Sequence, residues 1–178
     1  MKIVVVGTRG IPDIQGGVET HCEELYPRLA AMGHDVTVVR RSCYVTPQNK
    51  IKEYKGVHLK DIYAPRRKSI EAIVHTFLAI IYACWVGADV LHIHAIGPAL
   101  LTPLARLLGL RVVMTHHGPD YDRQKWNKTA KSVLRWGERM GTNYANEVIV
   151  ISTVIDNILR EKYDRTDAHL IYNGVNKP

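Results

Sequence analysis

Two adjacent glycines, Gly16-Gly17, stand directly ahead of Val18-Glu19 and a helical pattern. At such a helix start a phosphate or carboxylate can approach the backbone N–H groups without side-chain obstruction, and the helix dipole favours the anion. The loop that carries them, Gly7 to Gly17, is too long for a G-x-G-x-x-G turn, and Arg40-Arg41 rather than an acidic residue ends the second expected strand, so a NAD site is disfavoured. No Gly-Lys-Ser/Thr follows, so it is not a Walker loop either. Arg40-Arg41 keep an NADP-dependent reductase in view, because guanidinium groups at that place could meet a 2′-phosphate. A bare tight turn is the plainer use of the two glycines.

Histidines mark two further strand ends, His92-Ile93-His94 and Thr115-His116-His117-Gly118. Residues two apart on a strand share a face, so His92 and His94 point together, whereas His116 and His117 point oppositely and at most three of the four converge. Imidazoles suit zinc or iron, yet no H-E-x-x-H or carboxylate-rich spacing accompanies them, and no metal is expected. Beside Gly118, His117 suits a hydrogen-bond donor to an anionic or hydroxylated ligand, and His116 a packed or supporting histidine. The segment Asp120-Tyr121-Asp122-Arg123-Gln124-Lys125-Trp126 offers charges for hydroxyls and rings for stacking, a composition that suits a sugar or phosphate and equally a solvated helix start.

These residues need elements to hold them, and the pattern supplies alternating short β-branched runs and longer helical stretches, the signature of an α/β fold with a parallel sheet covered on both faces. Strands are expected at residues 3–6, 35–39, 57–63, 90–94, 111–115, 148–151 and 168–172. Helices are expected at 18–32, 69–86, 98–108, 129–144 and 154–163. In the first helix Cys22, Leu25, Leu29 and Met32 form the inner face, and Gly33 ends it. The unbroken apolar run from Phe77 to Val86 is too short for a membrane span, which needs about 20 residues. Following Arg66-Arg67-Lys68 and Ser69, it reads as an N-capped helix with a buried C-terminal half and a basic entry turn.

A formal charge of +7 favours anionic partners without choosing among them, and keeps in view a non-enzymatic anion-binding module at a membrane or nucleic acid. Nucleic acid is the weaker version, since the basic residues are dispersed and no RNA or DNA motif appears. Three scattered cysteines without C-x-x-C spacing argue against a disulfide framework or zinc knuckle and suit a reducing cytoplasm.

In combination, Gly16-Gly17-x-Glu19, His92-x-His94, Thr115-His116-His117-Gly118 and the closing Asn173-Gly174-Val175-Asn176 resemble the retaining glycosyltransferases of family 4, which have the GT-B fold. The opening Gly7-Thr8-Arg9-Gly10-Ile11-Pro12 with Asp122-x-x-Lys125-Trp126 is similar to the branch holding rhamnosyltransferases and capsule or O-antigen enzymes. The resemblance implies a Rossmann-like doubly wound parallel sheet over residues 1–172, forming the N-terminal half of a GT-B fold, and the start of an interdomain hinge over 173–178. It further implies a cytoplasmic, metal-independent hexosyltransferase in cell-surface polysaccharide synthesis, without a cofactor and without nucleic acid, in peripheral contact with the inner membrane face.

Its partners would be a nucleotide-sugar donor and a glycan or lipid-linked acceptor. Gly16 and Gly17 would lie against the donor diphosphate, and His117 matches the family's active-site histidine, which contacts the transferred sugar. Arg9, Glu19, His94 and Arg139 are acceptor-side candidates, Arg139 only by its approximate place and equally as a solvated helix residue. The family's basic pair for the diphosphate and its E-x-x-x-x-x-x-E motif are not in these 178 residues, so the chain alone is expected to be inactive.

Overall fold

The computed structural model describes residues 1–68 and 70–176. Its strands are β1 (Lys2–Val6), β2 (Asp35–Arg41), β3 (Glu53–Tyr54), β4 (Val57–Ile62), β5 (Val90–His94), β6 (Val112–His116), β7 (Glu147–Val150) and β8 (His169–Leu170). Its α-helices are α1 (Gly17–Ala31), α2 (Glu71–Trp85), α3 (Thr102–Leu107), α4 (Lys128–Tyr144) and α5 (Thr153–Tyr163). Short 3-10 turns cover Ser42–Tyr44, Pro98–Leu101 and Asp120–Asp122. The expected helix over 98–108 is thus split, a 3-10 turn passing into α3 where Thr102-Pro103 restarts it.

One sheet runs in the order β3-β4-β2-β1-β5-β6-β7-β8, parallel throughout except for the β3–β4 hairpin. The β1–β5 register pairs Val5 with His92, and the β5–β6 register pairs His94 with Thr115. Because β1 leads outward to β2 and the chain returns to β5 on its other side, the strand order reverses there. In open α/β sheets the crevice beyond the strand ends at that reversal is where ligands bind.

The pleat of β1 separates two cores. Ile3 and Val5 join Val36, Val38, Cys22 and Tyr26 under α1, while Val4 and Val6 join Leu91, Ile93, Met114 and Val148 under the other helices. Tyr26 takes the inner position on α1, and Met32, expected there, is 72% exposed because it caps the helix end.

On the opposite layer α4 sits close to the turn after β5. A Cβ on Gly137 would collide with the Ile96 carbonyl oxygen, and one on Gly141 with the Ala99 side chain. Helix α2 departs from expectation: its C-terminal half is not wholly buried. Ala79, Ile80 and Ala83 face the core, but Phe77, Ile81 and Trp85 are exposed, Trp85 to 82%. An apolar run with no polar interruptions hides which stripe faces out. The proposed N-capping Ser69 lies outside the described residues. Among the described residues no helix is long and apolar enough to cross a membrane.

Candidate functional site

A cleft of about 630 Å³ opens along the C-terminal ends of the central strands, touching Gly7 after β1, Arg41 at the end of β2, Ala95 after β5, His117 after β6 and Ile151 after β7. Gly16 and Gly17 form one wall. Gly16 has φ 152° and caps α1 where any side chain would strike the Glu19 carboxylate, whereas a Cβ on Gly17 would meet no atom within 4 Å. The N–H groups of the first turn of α1 therefore border open cleft, which suits an anion.

Glu19 lines the cleft but is already engaged: its Oε1 accepts from the Arg9 N–H at 2.9 Å and from the Thr8 hydroxyl at 3.3 Å, which closes the loop after β1 onto α1. Arg9 also lines the cleft, its guanidinium 5.2 Å from the centre of the Tyr44 ring. The opposite rim is made by Asp120, Arg123, Lys125 and Trp126, with the Lys125 ammonium 4.9 Å from the Trp126 ring. The Trp126 Nε1–H is buried and has no hydrogen-bond partner among the described residues.

Behind His117 runs a chain of hydrogen bonds. Thr115 Oγ1 lies 2.7 Å from His92 Nε2, and His92 Nδ1 lies 2.7 Å from Tyr26 Oη. Tyr26 Oη bonds in turn to His94 Nε2, and His94 Nδ1 lies 2.9 Å from His117 Nε2. A neutral imidazole has one N–H and one lone pair, so a ring that accepts at one nitrogen donates at the other, and the tautomer of His94 fixes that of His117. If His117 Nε2–H donates inward, its Nδ1 is an acceptor; if donation runs outward, Nδ1–H is a donor. Tyr26 and the strand histidines thus set what His117 offers to a ligand.

His94 itself is fully buried and does not reach the cleft surface, so it supports His117 instead of meeting an acceptor as expected. His21, one turn into α1, joins the group with its ring edge-on to His117 at 5.2 Å and to His94 at 5.8 Å. Sequence reasoning passed over both His21 and Tyr26. The signal for Tyr26 was its place at i+4 from Cys22, an inward position where a phenol needs a polar partner.

Burial holds these rings neutral. His117 is brought down to about 4 by burial and then by His21 and His116, and His92 to about 3 by burial and then by His21 and His117. Burial also lowers His94 well below its ordinary value, and lowers His21. One nitrogen from each of His21, His94 and His117 falls within 4.8 Å of the others, so these three are the described residues that could hold a metal ion.

His116 points away from the cleft, as the strand alternation requires. The Gly118 N–H donates to its Nδ1 at 3.1 Å, so the ring proton is on Nε2, which lies 2.7 Å from Glu138 Oε2. Glu138 is fully buried on α4 and its other oxygen accepts from the Tyr163 and Tyr121 hydroxyls at 2.6 and 3.2 Å. Burial alone would raise the Glu138 carboxyl, but the hydrogen bonds from His116 and Tyr163 outweigh it and hold it below the ordinary value.

Two arginines and Arg139 have other employment than the sequence suggested. Arg40 is fully buried, its Nε 2.6 Å from Asp61 and its Nη1 2.8 Å from the Asn49 carbonyl, so it cannot meet a 2′-phosphate. Arg41 is bound to Glu71 at 2.8 Å and to the Gly7 carbonyl at 3.2 Å. The motive for an NADP site is thereby removed. Arg139 is exposed on α4, 5.7 Å from the Trp136 ring, and does not line the cleft.

His75, buried on α2 with Nε2 3.1 Å from the Arg40 carbonyl oxygen, is lowered to about 4 by burial and then by Arg41. The unfolded chain binds this proton near pH 6.5 and the folded chain does not, so stability is complete above pH 6.5 and falls as pH drops toward 4. Denaturant unfolding at pH 7.5 and pH 5 should show a loss of about 1.4 kcal/mol per pH unit for each such imidazole at its steepest. Equal midpoint and slope at the two pH values would refute the assignment.

A family model described as Glycosyltransferase Family 4 matches residues 15–177. No curated protein sequence matches the chain. Among solved structures, sucrose-phosphate synthase from Thermosynechococcus elongatus superposes with TM-score 0.78 at 20% identity, over 98% of this chain and 48% of that one. Anabaena HepE in complex with UDP and glucose gives 0.67 at 12% identity, over 98% and 45%. Arabidopsis thaliana UGT89C1 complexed with UDP-L-rhamnose gives 0.58 at 13%, over 99% and 53%. The chain spans about half the length of each of these structures, and the likeness is one of fold, to the N-terminal domains of GT-B proteins.

Proposed function

From the premise that the chain belongs to glycosyltransferase family 4, we propose that it is the N-terminal, acceptor-side half of an enzyme that moves a sugar from a nucleoside diphosphate to a hydroxylated acceptor with retention of configuration. One observation carries this reading: His117 and the open N-terminus of α1 share a single cleft at the reversal point of the sheet. The remaining donor contacts belong to the second half of such an enzyme, and the hinge that leads to it starts at residue 173.

The chemistry follows from the residues. The Gly16-Gly17 turn presents N–H groups to the diphosphate and stabilises the negative charge that grows on it as the sugar–phosphate bond breaks. Neutral His117, held by His94, hydrogen-bonds a hydroxyl of the transferred sugar and orients it. Arg9 faces the acceptor, and Glu19 keeps the Arg9 loop closed. The sugar passes from the diphosphate to the acceptor oxygen while that hydroxyl's proton goes to the departing diphosphate, and the reaction asks no redox step of the protein. In the complete enzyme, Gly17→Val should lower kcat/KM for the donor at least about tenfold with the melting temperature unchanged, because the new side chain enters cleft and not core. An unaltered kcat/KM would remove the diphosphate from this helix.

The acceptor is read as a glycan or lipid-linked sugar in cell-surface polysaccharide synthesis, reached from the inner membrane face. Support comes from α2, whose exposed Ile70, Phe77, Ile81 and Trp85 fall on one stripe behind exposed Arg66, Arg67 and Lys68. Apolar stripe and basic entry together suit an anionic lipid surface. Sedimentation with vesicles containing phosphatidylglycerol should retain the chain, and Trp85→Asp should release most of it. Equal retention by neutral vesicles and by the variant would sink this part of the reading.

A further inference from the structure

We propose that Thr115, His92, Tyr26 and His94 are positioning residues that fix His117 as a hydrogen-bond donor through Nδ1, so that the group it meets on the transferred sugar is an oxygen with a free lone pair. The proposal rests on the sugar-transfer reading for the identity of that ligand, while the order of the hydrogen bonds follows from the fold alone. Strand alternation, carried one residue past β6, puts Thr115 and His117 on one side. The β5–β6 register pairs His92 with Val113 and His94 with Thr115, which lays both β5 histidines against that side. Tyr26 of α1 closes over them. The rings of His92, His94 and His117 stack in turn, with centres 4.2 and 5.2 Å apart.

The direction of donation is decided at the buried end. Thr115 is 1% exposed, and among the described residues its hydroxyl has one partner, His92 Nε2 at 2.7 Å. The hydroxyl hydrogen goes there, because a buried one left without an acceptor is costly. His92 Nε2 is then the lone pair, and since burial keeps this ring neutral its proton is on Nδ1, which donates to Tyr26 Oη at 2.7 Å. The Tyr26 hydroxyl is fully buried and has no third partner among the described residues, so its own hydrogen goes to His94 Nε2. His94 therefore carries its proton on Nδ1 and donates to His117 Nε2 at 2.9 Å. His117 is left with an Nδ1–H, which has no protein partner among the described residues, on a ring that lines the cleft. The reverse order would strand the Thr115 hydrogen. An N–H at that place suits a hydroxyl, carbonyl or carboxylate oxygen of the sugar and repels a protonated amino group.

The order is read directly by NMR on the chain with its histidine nitrogens isotopically labelled, in the absence of any sugar. An N–H···N bond between imidazoles transmits a coupling between its two nitrogens, and His94 with His117 is the one such pair among the described residues. We expect an Nδ1–H coupled to the Nε2 of a second ring that also carries its proton on Nδ1, with His116, which accepts the Gly118 N–H at its own Nδ1, as the Nε2–H reference. Donation from an Nε2–H to an Nδ1 overturns the proposal. Thr115→Val, which keeps the shape and removes the hydroxyl, should release the order and bring in an Nε2–H form of His117, and Thr115→Ser should restore the parent spectrum. A Thr115→Val spectrum equal to the parent's overturns the proposal as well. In the complete enzyme Thr115→Val should lower kcat about tenfold with KM little changed, and Thr115→Ser should recover it. An altered tautomer with unaltered kcat upholds the hydrogen-bond order and overturns instead the reading of His117 as a contact of the transferred sugar.

Discussion

His117→Ala should lower the transfer rate of the proposed complete enzyme by about 10²-fold or more, and His116→Ala should lower stability instead. The two adjacent rings should behave oppositely because they face opposite sides of β6. His117 lines the cleft and gives up one hydrogen bond to His94 on truncation, a loss of about 1 kcal/mol or less. A bond to substrate made chiefly in the transition state is lost with it, and that appears in kcat. His116 is fully buried and its Nε2–H meets Glu138, so its removal strands a buried carboxylate. Rates and denaturant midpoints measured on both variants decide the matter. A slow His116→Ala beside a destabilised His117→Ala would invert the assignment.

Glu138→Ala should be the most destabilising single change, at about 3–5 kcal/mol, because it leaves three donors without their acceptor at about 1–3 kcal/mol for each one buried. Three donors lose their acceptor together: His116 Nε2–H and the hydroxyls of Tyr121 and Tyr163. For a domain of this size that corresponds to a fall in melting temperature of roughly 10 °C or more. Glu138→Gln, which keeps an acceptor and the shape, should cost markedly less. A melting temperature for Glu138→Ala within a few degrees of the parent would show the network to be replaceable by water.

The sheet was legible in the sequence because its central strands are buried on both faces and so appear as unbroken β-branched runs, as in Ile3 to Val6. The two-residue strand Glu53–Tyr54 was not, since a hairpin so short leaves no periodicity to read. The glycine pair and His117 announced themselves by their place at strand and helix ends. His21, Tyr26 and Glu138 did not, because each sits in an ordinary helical pattern and gains its role from contacts across the fold. Arg40 misled for the opposite reason: two arginines at a strand end suggest a phosphate, and only Asp61, 21 residues further on, shows that the first is already paired. The outer stripe of α2 escaped notice because an all-apolar run carries no phase.

The close seat of α4 reaches further than packing. Glu138 stands next to Gly137 and three residues before Gly141, the two positions where the helix rests against Ile96 and Ala99. Its depth in the protein is therefore set by side chains that are not there. A methyl group at either glycine would act as a wedge, lifting α4 from the turn after β5 and drawing the carboxylate away from His116, whose ring also receives the Gly118 N–H. The turn that aims His117 would then lose its anchor from the far side of the sheet. Two glycines on α4 thus act as a focusing screw for the cleft, and a side chain at either would lower stability and the aim of His117 together.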